Sequence, residues 1–263
     1  MTEIGRSSDG TRIPIPDDDR GGVTIAWAAR TDVGLRRAAN EDSYIVQPPV
    51  FAVADGMGGH SAGDLASTAV VTRLAETLAG FTTPAQVGLA LAQAAHDITR
   101  IAGTMVLGAG TTATGAALTL VEGAPYFAIF NVGDSRVYQH IDGVTEQVTI
   151  DHSVVQELVD AGAITKAQAE HHPDSNVITR AIGFGEPPLP DYWLLPLVPG
   201  LRLLACSDGL TKEVPEHRIG EILSAGDSVE VTAKALVDEA LAAGGRDNVT
   251  VVLVDVLEVP AEA

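Results

Sequence analysis

The stretch VFAVADGMGGHSAGDLAS, residues 50–67, ends an apolar run with a carboxylate, Asp55, and follows it with several glycines. A second run, LRLLACS at 201–207, leads in the same way to Asp208. Continuous apolar runs of this length are typical of strands that are buried on both faces. We therefore expect two buried strands, each of which presents a carboxylate at its end.

Most Asp-Gly pairs are simply turns, because both residues favour turn conformations. The pair Asp142-Gly143 joins VYQHI to VTEQVT and is typical of a type I′ hairpin turn, so we assign it no chemistry. Asp55 and Asp208 differ from it because each follows an apolar strand.

Composition limits the partners that these carboxylates could serve. The 263 residues include 35 acidic and 16 basic side chains, a formal net charge of −19, and 46% of them are hydrophobic. This length and apolar content predict one large domain with a substantial core. The charge disfavours nucleic acid and anionic membranes as partners and favours cations.

The sequence also indicates a location. The single cysteine, Cys206, excludes an intramolecular disulfide framework. The N-terminus lacks the layout of a secretory signal, and no apolar run approaches the roughly 20 residues that cross a bilayer. We therefore expect a cytoplasmic protein that has no membrane partner, and a monomer.

Hydrophobic patterning divides the chain into three parts. Residues 1–22 are polar and aperiodic, which predicts a disordered leader. Residues 23–258 form the expected catalytic domain, and 259–263 form a short tail. Within the domain we expect a long helix near 228–243 and, because of its prolines and irregular pattern, an exposed flap at about 160–193.

Carboxylates recur at strand ends and in tight glycine-containing loops, more often than turns require: Asp42, Asp55, Asp134, Asp208 and Asp247. Hard divalent cations such as Mg²⁺ and Mn²⁺ prefer oxygen ligands of this kind. Glycine beside a ligand also lets a backbone carbonyl reach the ion, which makes the Gly56 carbonyl a candidate ligand. Zinc is excluded because the chain has one Cys and no paired His ligand spacing.

Two divalent ions bridged by an aspartate and a water form a known hydrolytic device, and phosphate esters suit it best. Such a site also needs a cation for the phosphate oxygens, and the planar guanidinium of arginine binds them better than lysine does. Arg36 and Arg37 precede Glu41 and Asp42 in the chain, although an arginine pair in a loop is also compatible with a solvated surface.

A family resemblance rests on strings that occur in one order along the chain: LRRAANEDS, VADGMGGH, GTTAT, NVGDSR, DHS, CSDGL and RDNVTV. Together they resemble the metal-dependent protein serine/threonine phosphatases of the type 2C family, in their bacterial form. The resemblance covers nearly everything after the leader. It implies an α+β fold, a four-layer α-β-β-α sandwich of two central antiparallel sheets with a dinuclear metal cleft at one end.

The resemblance also implies roles for individual residues. Asp55 would bridge two Mn²⁺ or Mg²⁺ ions, with the Gly56 carbonyl on one ion and with Asp208 and Asp247 on the other. Arg37 would bind the phosphate, and a metal-bridged hydroxide would attack it. The acidic pair Glu41 and Asp42 would act through metal-bound water, and Asn248 would fix its loop. Asp134 would help hold a weaker third ion near Asp208.

Two positions depart from the family pattern. Many members carry an aspartate four residues after the one that matches Asp208, as a further ligand of the third ion, whereas this chain has Lys212. That substitution puts a full third site in question. Eukaryotic-type members have a histidine at the position of Met57, whereas bacterial relatives resemble this chain in lacking it.

Other catalytic patterns are less well supported. GAGTTA at 108–113 fits a dinucleotide loop only loosely, because no helix pattern follows it. CSDGLTK lacks the arginine of a cysteine phosphatase loop, so we interpret Cys206 as a buried small residue. The string Asp151-His152-Ser153 lacks a glycine-flanked nucleophile and is interpreted as structural.

The sequence thus predicts a hydrolase for phosphoserine and phosphothreonine in proteins, which opposes a bacterial serine/threonine kinase. Phosphorylated proteins, including such a kinase, are the expected partners. Two alternatives stay open. One is a pseudophosphatase that binds phosphoproteins without turnover, which Lys212 favours. The other is a phosphatase for anti-sigma-antagonist proteins, although the chain has no room for the sensory domain that such proteins usually carry.

Overall fold

The computed structural model describes residues 1–16, 21–58, 62–102, 108–169, 171–184 and 187–260. In chain order the strands are β1 (Glu3–Gly5), β2 (Ser8–Pro14), β3 (Gly22–Asp32), β4 (Ser43–Gln47), β5 (Val50–Ala54), β6 (Gly56–Met57), β7 (Gly110–Thr111), β8 (Ala113–Val121), β9 (Ala124–Val132), β10 (Arg136–Ile141), β11 (Val144–Gln147), β12 (Asp191–Pro196), β13 (Arg202–Cys206) and β14 (Val249–Glu258). The helices are α1 (Ala62–Thr77), α2 (Pro84–Ala102), α3 (Val154–Asp160), α4 (Lys166–Ala169), α5 (Asp208–Thr211), α6 (Glu216–Leu223) and α7 (Val229–Ala243).

Two large sheets form the centre of the molecule. One has the strand order β1-β4-β5-β8-β9-β12, and the other has the order β11-β10-β13-β14-β3-β2. Strand β1 runs parallel to β4, whereas the other neighbouring strands are antiparallel. A two-stranded ribbon of β6 and β7 lies beside them.

Strand β5 shows how the layers are assembled. Phe51 and Val53 belong to the core between the two sheets, whereas Val50, Ala52 and Ala54 belong to the core under α1 and α2. Successive side chains of a strand point to opposite faces, so a strand between two apolar layers is apolar throughout. The expectation that VFAVA is buried on both faces is confirmed.

Strand β13 has the corresponding place in the second sheet. Leu203 and Ala205 face the core between the sheets, and Leu204 and Cys206 face the core under α5, α6 and α7. The layers are therefore helices, sheet, sheet and helices, as the family resemblance implied. Among the described residues, no helix combines the length and the apolar character needed to cross a membrane.

The N-terminal segment differs from its prediction. Residues 1–22 were expected to be disordered, but β1 adds to β4 and β2 pairs with β3. Ile4 and Ile13 pack against the cores, while most of the neighbouring side chains are exposed. An edge strand that gains stability mainly from backbone hydrogen bonds needs little apolar periodicity, which is why the pattern failed here. Residues 17–20 and 261–263, which belong to the predicted leader and tail, lie outside the described residues.

The predicted flap at 160–193 also has different bounds. Its last residues belong to β12, where Asp191 pairs with Asn131 of β9. Backbone bridges further join Ser153 to Ile178 and Thr111 to Ile182. The prolines that suggested an irregular segment precede β12, so they did not reveal the strand. Residues 170, 185 and 186 of the predicted flap lie outside the described residues.

Candidate metal centre

Asp55 lies directly after β5 and is the centre of a carboxylate cluster. Burial raises its pKa well above the usual range, and the carboxyl groups of Asp42, Asp208, Asp134 and Asp247 raise it further. Charge repulsion of this kind acts over short distances in a protein interior. The structure therefore brings together the five aspartates that the sequence had marked at strand ends and loops.

Glycine beside these aspartates allows neighbouring loops to approach closely. A Cβ atom on Gly56 would collide with the carbonyl oxygens of Gly63 and Glu41, and one on Gly209 would collide with the carbonyl oxygen of Asn248. Only glycine tolerates such contacts between backbones. The Asp-Gly pairs at 55 and 208 are thus close-approach sites, unlike Asp142-Gly143, where positive φ angles of 51° and 77° confirm the expected type I′ turn.

Two threonines hold the backbone of Asp55. The amide of Thr112 and the hydroxyl of Thr111 each donate to the Asp55 carbonyl oxygen at 2.9 Å. The Asp55 amide donates to Thr112 Oγ1 at 3.0 Å, and this oxygen also contacts Ser135 Oγ, next to Asp134. These buried hydroxyls fix the backbone of Asp55 at the end of β5. The sequence offered only the string GTTAT as a signal for them.

Asp42 joins the two sheets. Its Oδ2 accepts hydrogen bonds from Ser207 Oγ at 2.9 Å and from Thr250 Oγ1 at 2.6 Å, and the residue is 1% exposed. Burial raises the pKa of Asp42 to about 7, although both hydroxyls act to lower it. One carboxylate oxygen is therefore committed to the fold. The family resemblance had assigned Asp42 only a contact through metal-bound water.

Arg37 reaches the cluster from the loop before β4. Its Nη2 donates to Asp247 Oδ2 at 2.7 Å, and its side chain remains 53% exposed. This hydrogen bond is the main cause that raises the pKa of Arg37, and Asp208 and Asp55 add to it. Beside it, burial raises the pKa of Glu41 while Arg37 lowers it. Arg37 thus combines a fixed position beside the carboxylates with access to solvent.

Asn248 is the residue that positions the Arg37 loop. Its Nδ2 donates to the carbonyl oxygens of Val33 at 3.0 Å and Ala39 at 2.9 Å. Its Oδ1 accepts from the amide of Glu41 at 2.8 Å. The resemblance implied that Asn248 fixes its own loop, and the structure shows that it also holds residues 33–41.

Lys212 contacts the cluster at Asp208. Its ammonium pairs with Asp208 Oδ2, and Asp134 and Asp55 lie near enough to raise its pKa, against the effect of burial. The neighbouring Glu213 turns away and pairs with Arg246 at 2.8 Å. Burial raises the pKa of Asp134 to about 7, Asp208 raises it further, and Lys212 acts against both effects.

The donor atoms fit hard divalent cations. They are carboxylate oxygens at strand ends, with a backbone carbonyl at Gly56, and this set suits Mg²⁺ or Mn²⁺ rather than zinc. Within the described ranges, no three His, Cys, Asp or Glu side chains converge to metal-ligating distance as they stand. Asp208 and Asp247 are instead paired with Lys212 and Arg37, so ion binding requires these carboxylates to exchange partners.

The other candidate nucleophiles have structural environments. Cys206 is fully buried, and burial raises the pKa of its thiol to about 12. Asp151 accepts a bidentate interaction from Arg136, with Nε donating to Oδ1 at 3.0 Å and Nη2 to Oδ2 at 2.7 Å, and Ser153 caps α3. His152 Nδ1 accepts from the amide of Gly133 at 3.1 Å. The structural interpretation of these residues agrees with their contacts.

Sequence comparisons agree with this geometry. A family model described as Protein phosphatase 2C matches residues 38–257. The serine/threonine phosphatase stp of Listeria monocytogenes is 37% identical over 243 residues, which cover 86% of this chain and 94% of that protein. The serine/threonine protein phosphatase PstP of Mycobacterium tuberculosis is 36% identical over 245 residues, 90% of this chain. Those residues are 46% of PstP, so the chain spans about half the length of that relative.

Solved structures give the same result. The crystal structure of Mycobacterium tuberculosis PstP matches with a TM-score of 0.81 and 36% identity, covering 89% of this chain and 99% of that one. The catalytic domain of PstP in complex with two manganese ions matches with a TM-score of 0.79 and 37% identity over 89% of this chain and 99% of that one. The match of the family model over most of the chain, together with these relatives, shows that the chain belongs to the protein phosphatase 2C family, in its bacterial form.

Proposed function

We propose that this protein hydrolyses phosphoserine and phosphothreonine in other proteins, with Mn²⁺ or Mg²⁺ as its cofactor. The observation that carries the proposal is the position of Asp55, whose backbone is held by Thr111 and Thr112 and whose carboxylate lies among four further aspartates. A cluster with this much uncompensated negative charge is costly in a protein interior unless cations bind it. The two manganese ions in the related PstP structure support the same cofactor.

The metal ligands would be Asp55 between two ions, the Gly56 carbonyl, Asp208 and Asp247, with Glu41, Asp42 and Asp134 as outer contributors. Two bound ions lower the pKa of a coordinated water and neutralise charge on the phosphoryl oxygens. The chain's own residues supply the geometry. Thr111 and Thr112 orient Asp55, and Asp42 locks the sheets together through Ser207 and Thr250.

Arg37 has the role of binding and orienting the phosphate. Its guanidinium is held beside the carboxylates by Asp247, yet it is half-exposed and therefore accessible to a substrate. A planar guanidinium can donate two parallel hydrogen bonds to phosphate oxygens. Asn248 keeps the loop that carries Arg37 in place, which limits the motion that would misplace the phosphate.

The partners follow from this chemistry. Phosphorylated proteins are the substrates, and a serine/threonine kinase of the same cell is both the opposing enzyme and a substrate. The net charge of −19 disfavours nucleic acid as a ligand. We further propose that the protein acts in the cytoplasm as a monomer.

A pseudophosphatase is the second candidate, because Lys212 pairs with a proposed metal ligand, Asp208. On this hypothesis the ammonium keeps the metal site from reaching its active arrangement, and the protein binds phosphoproteins or metal without turnover. The intact set of aspartates and Arg37 favours the enzyme instead.

Phosphate release from a phosphothreonine peptide, with and without millimolar Mn²⁺, tests the proposal. The wild type should need Mn²⁺, and Asp208→Ala should lose release. Asp238→Ala is the matched control, since Asp238 is exposed on α7 and pairs only with Lys234 among the ion pairs of the described residues. A wild type that binds Mn²⁺ calorimetrically yet releases no phosphate would favour the pseudophosphatase.

A further inference from the structure

Lys212 is fixed beside the carboxylates by the geometry of α5. Asp208 is the first residue of this helix and Lys212 caps its end, with the Lys212 amide donating to the Asp208 carbonyl at 2.9 Å. Residues four positions apart lie on the same face of a helical turn, so their side chains meet. The helical turn therefore holds the ammonium beside Asp208, and unlike a free ion it cannot diffuse away.

The ammonium serves more than one carboxylate. It pairs with Asp208 Oδ2 and lies within electrostatic range of Asp134 and Asp55. Among the charged neighbours of Asp134, Asp208 raises its pKa most and Lys212 lowers it. The Asp134–Asp208 side of the cluster thus already has a positive charge that belongs to the chain.

Two cations of the described part of the chain contact the cluster, and they lie on different carboxylates. Arg37 pairs with Asp247, and Lys212 pairs with Asp208. A divalent ion between Asp134 and Asp208 would lie within a few ångströms of the ammonium, and two positive charges repel strongly at so short a distance. An ion bound to Asp55 and Asp247 competes with the half-exposed Arg37 guanidinium instead of with Lys212.

We propose that the Lys212 ammonium is a built-in cation that takes the place of a divalent ion between Asp134 and Asp208, so that the protein binds two ions and excludes a third. The inference rests on the proposed metal ligands but not on turnover. It makes this protein a two-ion member of its family whose remaining charge is neutralised by a side chain.

Counting bound Mn²⁺ per chain tests the inference without measuring activity. Equilibrium dialysis at increasing Mn²⁺, followed by elemental analysis, should give two ions for the wild type and three for Lys212→Asp. The additional ion should disappear in the double variant Lys212→Asp/Asp134→Asn. Three ions in the wild type, or two in Lys212→Asp, would overturn the inference.

The matched control is Lys234→Asp. Lys234 also pairs with an aspartate four positions away, Asp238, but on the exposed face of α7. This variant makes the same change of charge and should still bind two ions. Circular dichroism checks that each variant is folded, and Lys212→Gln, which removes only the charge, serves if Lys212→Asp is unfolded. Lys212→Gln should then also bind an additional ion at millimolar Mn²⁺, and a count of two would contradict the inference.

The metal count and the phosphatase assay fail independently. If the wild type binds two Mn²⁺ ions and Lys212→Asp binds three, but no phosphate is released, the inference about Lys212 stands and the proposed activity is wrong. If phosphate is released with Mn²⁺ but the wild type holds three ions, the activity stands and the inference is wrong.

Discussion

The guanidinium of Arg37 donates to the carboxylate of Asp247 at 2.7 Å, across 210 positions of the chain. This pair connects the loop before β4 with the loop before β14, and it places the proposed phosphate-binding group beside a proposed metal ligand. On the proposed function the relationship links substrate binding to metal binding, since an ion bound to Asp247 would release the guanidinium for the phosphate.

Replacing Arg37 should therefore affect the substrate more than the metal. We expect Arg37→Ala to lower kcat/KM for a phosphothreonine peptide on the order of 10²-fold, because a charged donor to the phosphoryl oxygens is lost. The number of bound Mn²⁺ ions should stay unchanged. Arg36→Ala is the control, since Arg36 is adjacent and exposed. Equal losses in both variants would remove the special role of Arg37.

Asn248 should act as a positioning residue. Asn248 is 7% exposed, and Asn248→Ala removes its hydrogen bonds to the backbones of Val33, Ala39 and Glu41. Leaving buried backbone groups unpaired costs about 1–3 kcal/mol, which urea denaturation would measure as a lower free energy of unfolding.

The same variant should also lower kcat, because the loop that carries Arg37 loses its anchor. Asn248→Asp keeps the acceptor for the Glu41 amide but turns a carboxylate oxygen towards the carbonyl oxygens of Val33 and Ala39, so it should be at least as disruptive as Asn248→Ala. Asn176→Ala, at an exposed position, is the control. An Asn248→Ala variant with unchanged kcat would show that the loop is held by other contacts.

The central strands and their terminal aspartates could be predicted from sequence, because burial on both faces leaves a continuous apolar run. VFAVA and LRLLACS are such runs, and α7 was found within one residue of its predicted bounds at 228–243. Strand β1 could not be predicted, because an edge strand is stabilised by backbone hydrogen bonds that leave no side-chain pattern.

The site was predictable only in part for a similar reason. Charged residues beside glycine stand out in a sequence, and all five marked aspartates lie in one cluster. The hydroxyls of Ser207 and Thr250 that bind Asp42 do not stand out, since serine and threonine are common in strands and loops. The pair between Lys212 and Asp208 follows from helical spacing, but its proximity to Asp134 depends on the fold.

The carboxylate cluster should make metal-free stability depend on pH. Burial raises the pKa of Asp42 and of Asp134 to about 7. A carboxyl group whose folded pKa lies above its unfolded value of about 3.9 holds its proton more tightly when folded. Its stabilising contribution is complete below pH 4 and is lost as pH rises towards about 7. In EDTA, the free energy of unfolding should therefore fall over this range.

Two comparisons check the origin of that slope. Saturating Mn²⁺ should oppose the fall, because the ion binds the ionised carboxylates of the folded state, with about 2.7 kcal/mol of stabilisation at 100 times Kd. Asp42→Asn should reduce the slope in EDTA because one titrating group is removed. A wild-type free energy of unfolding that stays constant between pH 4 and 7 in EDTA would contradict the raised pKa values.

Cys206 should be dispensable for catalysis. It is the last residue of β13 and packs against the helices behind that strand, and burial raises the pKa of its thiol to about 12. A thiol with so high a pKa is not a nucleophile near neutral pH. We expect Cys206→Ala to keep kcat within about twofold while it lowers the free energy of unfolding by roughly 1–2 kcal/mol. Loss of activity in a folded Cys206→Ala protein would revive the cysteine phosphatase alternative.

Phe184 should contribute to substrate choice from the predicted flap. Its ring lies against Gly110, where a Cβ atom would collide with it, and it is 58% exposed. Gly110 pairs with Met57 in the ribbon next to Asp55, and hydrogen bonds between Thr111 and Ile182 hold the flap there. An exposed aromatic ring beside the cluster can cover an apolar residue that flanks the phosphorylated side chain.

Phe184→Ala should therefore lower kcat/KM about tenfold for a phosphopeptide with apolar flanking residues, which corresponds to roughly 1.4 kcal/mol of lost contact. Turnover of para-nitrophenyl phosphate should be unchanged, because this small substrate has no flanking residues to contact. Val144→Ala, an exposed apolar position on the β10–β11 hairpin, is the control. If both substrates slow equally, Phe184 supports the site itself, and the flap does not select the substrate through this residue.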